Sequence, residues 1–255
     1  MKNLIKIAVF AVPGIAVLSA IIAATSLISV STFYNNKVQS DYNRKVEAWA
    51  ELNKTAEQGG VVFVGDSHTE LFPVNELFPD ENAFNRGILG DTTIGLLTRL
   101  NESIFELQPS KIFLEIGTND IAKTNDSDAE IAERIGNIIE EIQENAPDSE
   151  LYIISLYPLN FDSEKTNKLT VWGLSNDRIV GINKNLEEIC NKKDVPYIDI
   201  HSKLVDENGR QKEEYVHDGA HLNIDGYAVV ADALRSLGTG IRFKRSSPAN
   251  VPNGA

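Results

Sequence analysis

The sequence predicts an α/β fold in which a mainly parallel sheet carries helices on both faces. Three observations point there. Short apolar runs alternate with stretches of helical period, most runs are rich in β-branched or aromatic residues, and no internal repeat or interdomain linker interrupts the alternation.

One element is expected before that core. Lys2 and Lys6 lead into an uncharged stretch from Ile7 to Phe33, long enough as a helix to cross roughly 30 Å of hydrocarbon. A cleavable signal has an apolar core of only about 7 to 15 residues. One transmembrane helix is therefore expected, with Ser29-Val30-Ser31 as the small residues a peptidase would accept if the segment is instead a signal. The preceding lysines favour an inside amino terminus and an extracytoplasmic domain, although Lys37, Arg44 and Lys45 weaken the charge bias. Val38, Tyr42, Val46, Trp49 and Leu52 then recur at three- and four-residue spacing, which predicts an amphipathic helix to about Lys54.

Strands are expected at Val61 to Gly65, Ala83 to Arg86, Lys111 to Ile116, Leu151 to Ser155 and Tyr197 to Ile200. Helices are expected at Thr92 to Leu107, Asp128 to Asn145, Asn176 to Lys192 and Ile224 to Leu237. In the second, Ile131, Ile135, Ile138, Ile139 and Ile142 share one face. From Gly238 onward Gly, Pro, Ser and Asn dominate without a hydrophobic period, and a flexible tail is expected.

Composition narrows the function. The chain has 255 residues, 24 Lys+Arg against 37 Asp+Glu, and a net charge of -13, the wrong sign for tracking a phosphate backbone. No nucleic-acid partner is expected. A single cysteine, Cys190, excludes an internal disulfide framework and multi-cysteine metal sites.

In open parallel sheets ligands bind beyond the carboxyl ends of the strands, and the polar residues gather there. Val61-Val62-Phe63-Val64 runs into Gly65-Asp66-Ser67, which places a hydroxyl at a strand exit. The order Gly65-Asp66-Ser67-His68-Thr69 is not the Gly-x-Ser-x-Gly elbow of α/β-hydrolases, so Ser67 would be a nucleophile on a different scaffold, or else a helix cap. A serine attacks only when an imidazole takes its proton, and that ring needs an acceptor for its other N–H. Asp218-Gly219-Ala220-His221 offers both groups, and a surface turn is the plainer use of the same residues. Gly90, in Gly87-Ile88-Leu89-Gly90-Asp91-Thr92-Thr93, could bring its N–H close to an oxyanion, and Asn119 of Gly117-Thr118-Asn119-Asp120 could add a second donor. Each is also compatible with an ordinary loop or Asx turn.

Taken in order, G-D-S, G-D-T-T, G-T-N-D and D-G-x-H-L-N make the chain resemble the SGNH, or GDSL, hydrolases, over roughly Val61 to Leu237. The resemblance implies a three-layer α/β/α fold with a five-stranded, flavodoxin-like sheet. It also implies Ser67 as nucleophile, His221 as base oriented by Asp218, and an oxyanion hole made by the Ser67 amide, Gly90 and Asn119. The wording around Gly90 looks most like the branch of platelet-activating-factor acetylhydrolases and bacterial carbohydrate acetylesterases, which implies short acyl esters. The organisation expected is then residues 1–34 as anchor or signal, 35–58 as amphipathic linker helix, 59–238 as hydrolase domain and 239–255 as tail.

No cofactor or metal is expected, because the mechanism needs none and His68, His201, His217 and His221 lack the H-E-x-x-H spacing. His68, where many relatives carry an aliphatic residue, is expected as a solvent-facing histidine in the first turn of a helix, with lining of the acyl or alcohol side of the pocket as the alternative, and His217 is expected as structural. The partner expected is a small-molecule or glycan acyl ester, with the membrane held by the amino-terminal segment. Lipolysis, by a phospholipase, lysophospholipase or thioesterase, is the alternative, and a catalytically silent envelope binding module is a third.

Overall fold

Strand-forming runs and amphipathic stretches alternate in the computed structural model much as in the sequence. It describes residues 25, 26, 29, 32, 33 and 36–236. Residues 36–53 are helical (α1). There follow β1 (Val61–Gly65), α2 (Ser67–Glu70), α3 (Val74–Leu77), β2 (Ala83–Gly87), α4 (Thr93–Leu97), α5 (Leu100–Ser103), β3 (Lys111–Glu115), α6 (Thr118–Lys123) and α7 (Asp128–Asn145). The chain continues through β4 (Glu150–Ile154), α8 (Asn176–Lys193), β5 (Tyr197–Ile198), α9 (His201–Leu204) and α10 (Ile224–Ser236). Two units divide the chain, Met1–Ala48 and Trp49–Ala255.

The sheet runs β2-β1-β3-β4-β5 and every pairing is parallel. This is the flavodoxin-like order, in which the direction of strand addition reverses beside β1. All of β1 is buried, because a sheet covered on both faces has no polar side. Val62, Val64, Ile112 and Leu114 join the isoleucines of α7 and Ile179, Ile182 and Leu186 of α8 in one cluster. Val61, Phe63 and Phe113 join Val230, Ala231 and Leu234 of α10 in the other. α7 starts with a capping box between Ser127 and Glu130, and all five expected isoleucines are buried.

Some expected boundaries are corrected. The single helix from Thr92 to Leu107 is instead α4, α5 and a 3-10 turn at Phe105–Leu107. At the break, Thr98 Oγ1 donates to the Gly95 carbonyl and the Arg99 N–H turns to Leu96, three residues back, so the four-residue ladder lapses. β5 ends at Ile198 rather than Ile200, because the Ile200 and His201 amides donate to Ser155 Oγ instead of to a strand. β3 ends one residue early, at Glu115, before Gly117 turns the chain with φ 131°. β2 reaches Gly87, one residue further than expected.

Among the described residues no helix is long and apolar enough to cross a membrane. The stretch from Ile7 to Phe33 lies almost entirely outside the described residues, as does the tail from Gly238.

Candidate active site

Gly65, Gly87 and Glu115 end neighbouring strands in register, so the loops after β1, β2 and β3 emerge side by side. A Cβ at Gly65 would lie 1.9 Å from the Glu115 carbonyl oxygen, so the central exit needs glycine. Asp66 then caps α2, its Oδ1 accepting the His68 N–H at 2.9 Å. Ser67 is the first residue of that helix, where an amide has no partner within the helix.

The loop before α10 brings the remaining groups to Ser67. His221 Nε2 lies 2.8 Å from Ser67 Oγ, and His221 Nδ1 lies 2.8 Å from Asp218 Oδ2. Asp218 Oδ1 also accepts the backbone N–H groups of Ala220 and His221, at 3.1 and 2.9 Å. Burial alone would raise the Asp218 carboxyl, but the His221 ring and these two amides outweigh it and hold it below the usual carboxylate range. The turn itself is braced from β4's exit loop, where the Asn160 N–H donates to Gly219 and the Asn167 N–H to Asp218. Gly219 has φ 97°, and a Cβ there would meet Thr166 at 2.6 Å.

Asn119 and the Gly90 loop are held by the neighbouring strand exits. Asn119 Nδ2 donates to Asp66 Oδ2 at 3.1 Å, and an amide nitrogen has a second hydrogen to offer an oxyanion. Gly90 adopts φ 74° in a loop tied to β1 by the Ile88 N–H to the Gly65 carbonyl and to α6 by Lys123 Nζ on the Gly90 carbonyl. Asp120, the neighbour of Asn119, accepts from the Thr93 N–H at 3.0 Å and pairs with Arg134 at 3.2 Å. That contact locks α6 to the start of α4, and with it Asn119 to the Gly90 loop.

Beneath the loop lies Arg99, whose side chain is fully buried. Its guanidinium donates to the carbonyls of Gly65 and Arg86, both at 2.9 Å, and to Asp91 at 2.8 Å. Trp49 covers Arg99 and Arg86 with its ring, and Asn53 accepts from Arg86 at 2.8 Å. Burial and the neighbouring Arg99 lower Arg86 to about 10. Neither Arg99 nor Asp120 stands out in the sequence, because their partners are backbone oxygens and residues of other elements.

His68 departs from expectation. The ring is buried at 3% exposure rather than facing solvent. Nε2 lies 3.1 Å from the Ala220 carbonyl, and Nδ1 lies 3.5 Å from Asp66 and 3.7 Å from Glu115. Two buried carboxyls on the ring's other edge make a polar interior preferable to a solvent-facing rotamer. The ligand atoms of Asp66, His68 and Glu115 all fall within 4.8 Å of one another, a set that by type and spacing could hold a metal ion. His217 is exposed, and its backbone N–H donates to the His221 carbonyl.

Residues 63–229 match the model of the GDSL-like Lipase/Acylhydrolase family. The platelet-activating factor acetylhydrolase IB subunit alpha2 of Rattus norvegicus is 29% identical over 208 residues, covering 80% of this chain and 84% of the relative. A solved structure from Streptococcus pneumoniae named after platelet activating factor is 29% identical, with a TM-score of 0.75 over 82% of this chain and 97% of that one. The acetyl xylan esterase AlAXEase shares the fold at 17% identity, with a TM-score of 0.57 over 70% of this chain and 98% of that one.

Proposed function

Because the chain belongs to the GDSL-like lipase/acylhydrolase family and is a carboxylic ester hydrolase, we propose that it removes short acyl groups, acetyl foremost, through Ser67, His221 and Asp218. The continuous line from Ser67 Oγ through the His221 ring to Asp218 carries this reading. Ser67 Oγ attacks the ester carbonyl while its proton passes to His221 Nε2. The carbonyl oxygen becomes an oxyanion facing the Ser67 amide, the Gly90 amide and Asn119 Nδ2. Collapse breaks the bond to the alcohol, which leaves with the proton from His221. Water then attacks the acyl-enzyme, giving a proton to His221, and the second collapse frees the acid and returns that proton to Ser67. Asp218 remains ionised throughout and fixes the ring's tautomer.

An acetyl ester of a carbohydrate or related metabolite is the substrate class favoured here, with the domain held outside the cytoplasm by the amino-terminal apolar segment, or secreted if that segment is cleaved. Lipolysis is the second reading. The name of the 29% identical relatives supports acetyl removal without excluding a lipid alcohol, and Leu169 and Trp172 stand 82% and 79% exposed on the loop that braces Asp218. The test is hydrolysis of p-nitrophenyl acetate, butyrate and octanoate by the full chain, with Ser67→Ala alongside. Serine-dependent turnover greatest on acetate supports the first reading, a preference for octanoate moves the assignment to lipids, and no turnover above Ser67→Ala overturns both.

A further inference from the structure

Leu169 and Trp172, the two most exposed apolar side chains of the segment between β4 and α8, stand on backbone that is fixed on both sides of the indole. Val171, just before it, is buried in the cluster that also holds Ile121 of α6 and Ala220, the residue before His221. Gly173, just after it, has φ 76°, and a Cβ there would lie 3.2 Å from Ala122, three residues beyond Asn119. With one neighbour pinned inward and the other pressed on α6, the ring between them is left to solvent. The same segment holds the turn of the base, where the Asn167 N–H donates to the Asp218 carbonyl at 2.9 Å. A departing alcohol takes its proton from His221 and so leaves on the side of that turn. Trp172 therefore flanks the alcohol of the ester rather than its acyl group.

Resting on the catalytic assignment and the carbohydrate-ester reading above, we propose that Trp172 is the surface on which the sugar ring of the alcohol stacks, with the Asn167 side-chain amide donating to its hydroxyls. The face of an indole is negatively polarised, and the C–H face of a pyranose turns weakly positive hydrogens toward it. A sugar also needs a few placed polar groups beside that face. Asn167 Oδ1 accepts the Leu169 N–H at 3.0 Å, which leaves the Nδ2 hydrogens for a hydroxyl. A lipid chain calls for continuous apolar surface, whereas Lys165, Asn167 and Lys168 are exposed beside the two apolar residues here.

The first arm of the test needs no turnover. Ser67→Ala of the full chain is titrated with a monoacetylated methyl xyloside while tryptophan emission is followed, the second of the two tryptophans, Trp49, being buried. A saturable change that disappears when Trp172→Ala is added is expected. No saturable change, or one that persists without Trp172, overturns the proposal. In the second arm kcat/KM on the xyloside is divided by that on ethyl acetate, which carries the same acyl group and no ring. Trp172→Ala is expected to lower this ratio by roughly three- to tenfold, chiefly through KM on the xyloside, and Trp172→Phe to recover most of it. Serine-dependent turnover of the xyloside with the ratio unchanged overturns the stacking role and leaves the carbohydrate reading standing. A loss on p-nitrophenyl octanoate without one on the xyloside assigns the indole to an acyl chain and overturns it too. Failure of the catalytic assignment reads out separately, as Ser67→Ala retaining turnover of ethyl acetate.

Discussion

Asn119 reaches the surroundings of Ser67 through a carboxylate: its Nδ2 donates to Oδ2 of Asp66, 3.1 Å away, and the other oxygen of Asp66 caps the helix that begins with Ser67. A single buried side chain thereby ties the helix of Ser67, the proposed nucleophile, to Asn119, the proposed oxyanion donor.

Separate losses are expected when the two are changed. Asn119→Ala removes a donor to the oxyanion and is expected to lower kcat by about a hundredfold or more. Asp66→Asn keeps the size and loses the acceptor pattern, so kcat is expected to fall while Asn119 remains present. Steady-state kinetics on p-nitrophenyl acetate check both, and near-normal turnover in Asn119→Ala would remove it from the oxyanion hole.

Arg99→Leu is a stability experiment. It leaves Asp91 buried without its charged partner and takes one donor each from the carbonyls of Gly65 and Arg86, so a loss of roughly 3–5 kcal/mol is expected. Urea unfolding followed by circular dichroism measures it. A loss below about 1 kcal/mol would show that the Gly90 loop is held by other contacts.

Trp172→Ala and Leu169→Ala remove exposed apolar surface, so stability is expected to change by no more than about 0.5 kcal/mol. If these side chains receive an acyl chain, octanoate turnover falls while acetate turnover holds. Equal effects on the two esters would place them outside the acyl path.

Melting temperature is expected to fall as pH is raised through and above the unfolded histidine value of about 6.5. The raised His68 favours the folded state fully below the unfolded histidine value near 6.5, and that contribution disappears as pH climbs through the folded value. The raised Glu115 acts in the same direction at lower pH, its contribution being full below the unfolded value of 4.5 and lost as pH climbs through about 7. Glu115→Gln should flatten the decline, and an unchanged slope in scanning calorimetry would contradict the pairing.

Dialysis against EDTA is expected to leave ester hydrolysis unchanged, because the proposed nucleophile, base and oxyanion donors are all side-chain or backbone groups. Loss of activity with recovery on adding zinc would instead put a cation among Asp66, His68 and Glu115, the set whose ligand atoms lie within 4.8 Å of one another.

The parts legible in the sequence are those encoded locally. Five branched or aromatic runs became five strands, and the isoleucine spacing of α7 survived because a helix buries one face whatever it packs against. Ser67, Asp218, His221 and Asn119 could be singled out because each sits in a short motif, and the structure brings them together around Asp66 and Ser67. Long-range partners were invisible. The helix at Thr92 breaks where Arg99 turns under β1 and β2, and His68 is drawn inward by Glu115, a residue of another strand. Nothing near His68 in the chain announces that Glu115 will face it.

Ser67 leaves the first strand, and the imidazole that meets it, the proposed base, arrives 154 residues later, just before the last helix. At synthesis rates of about 5–20 residues per second, the hydroxyl exists for roughly 8 to 30 seconds before its base has even been made. On the proposed triad, a nascent chain has no esterase to use on its surroundings, and a chain cut short before His221 is expected to stay inert however well its sheet has formed. Activity becomes a report that the carboxyl-terminal part has been both made and docked.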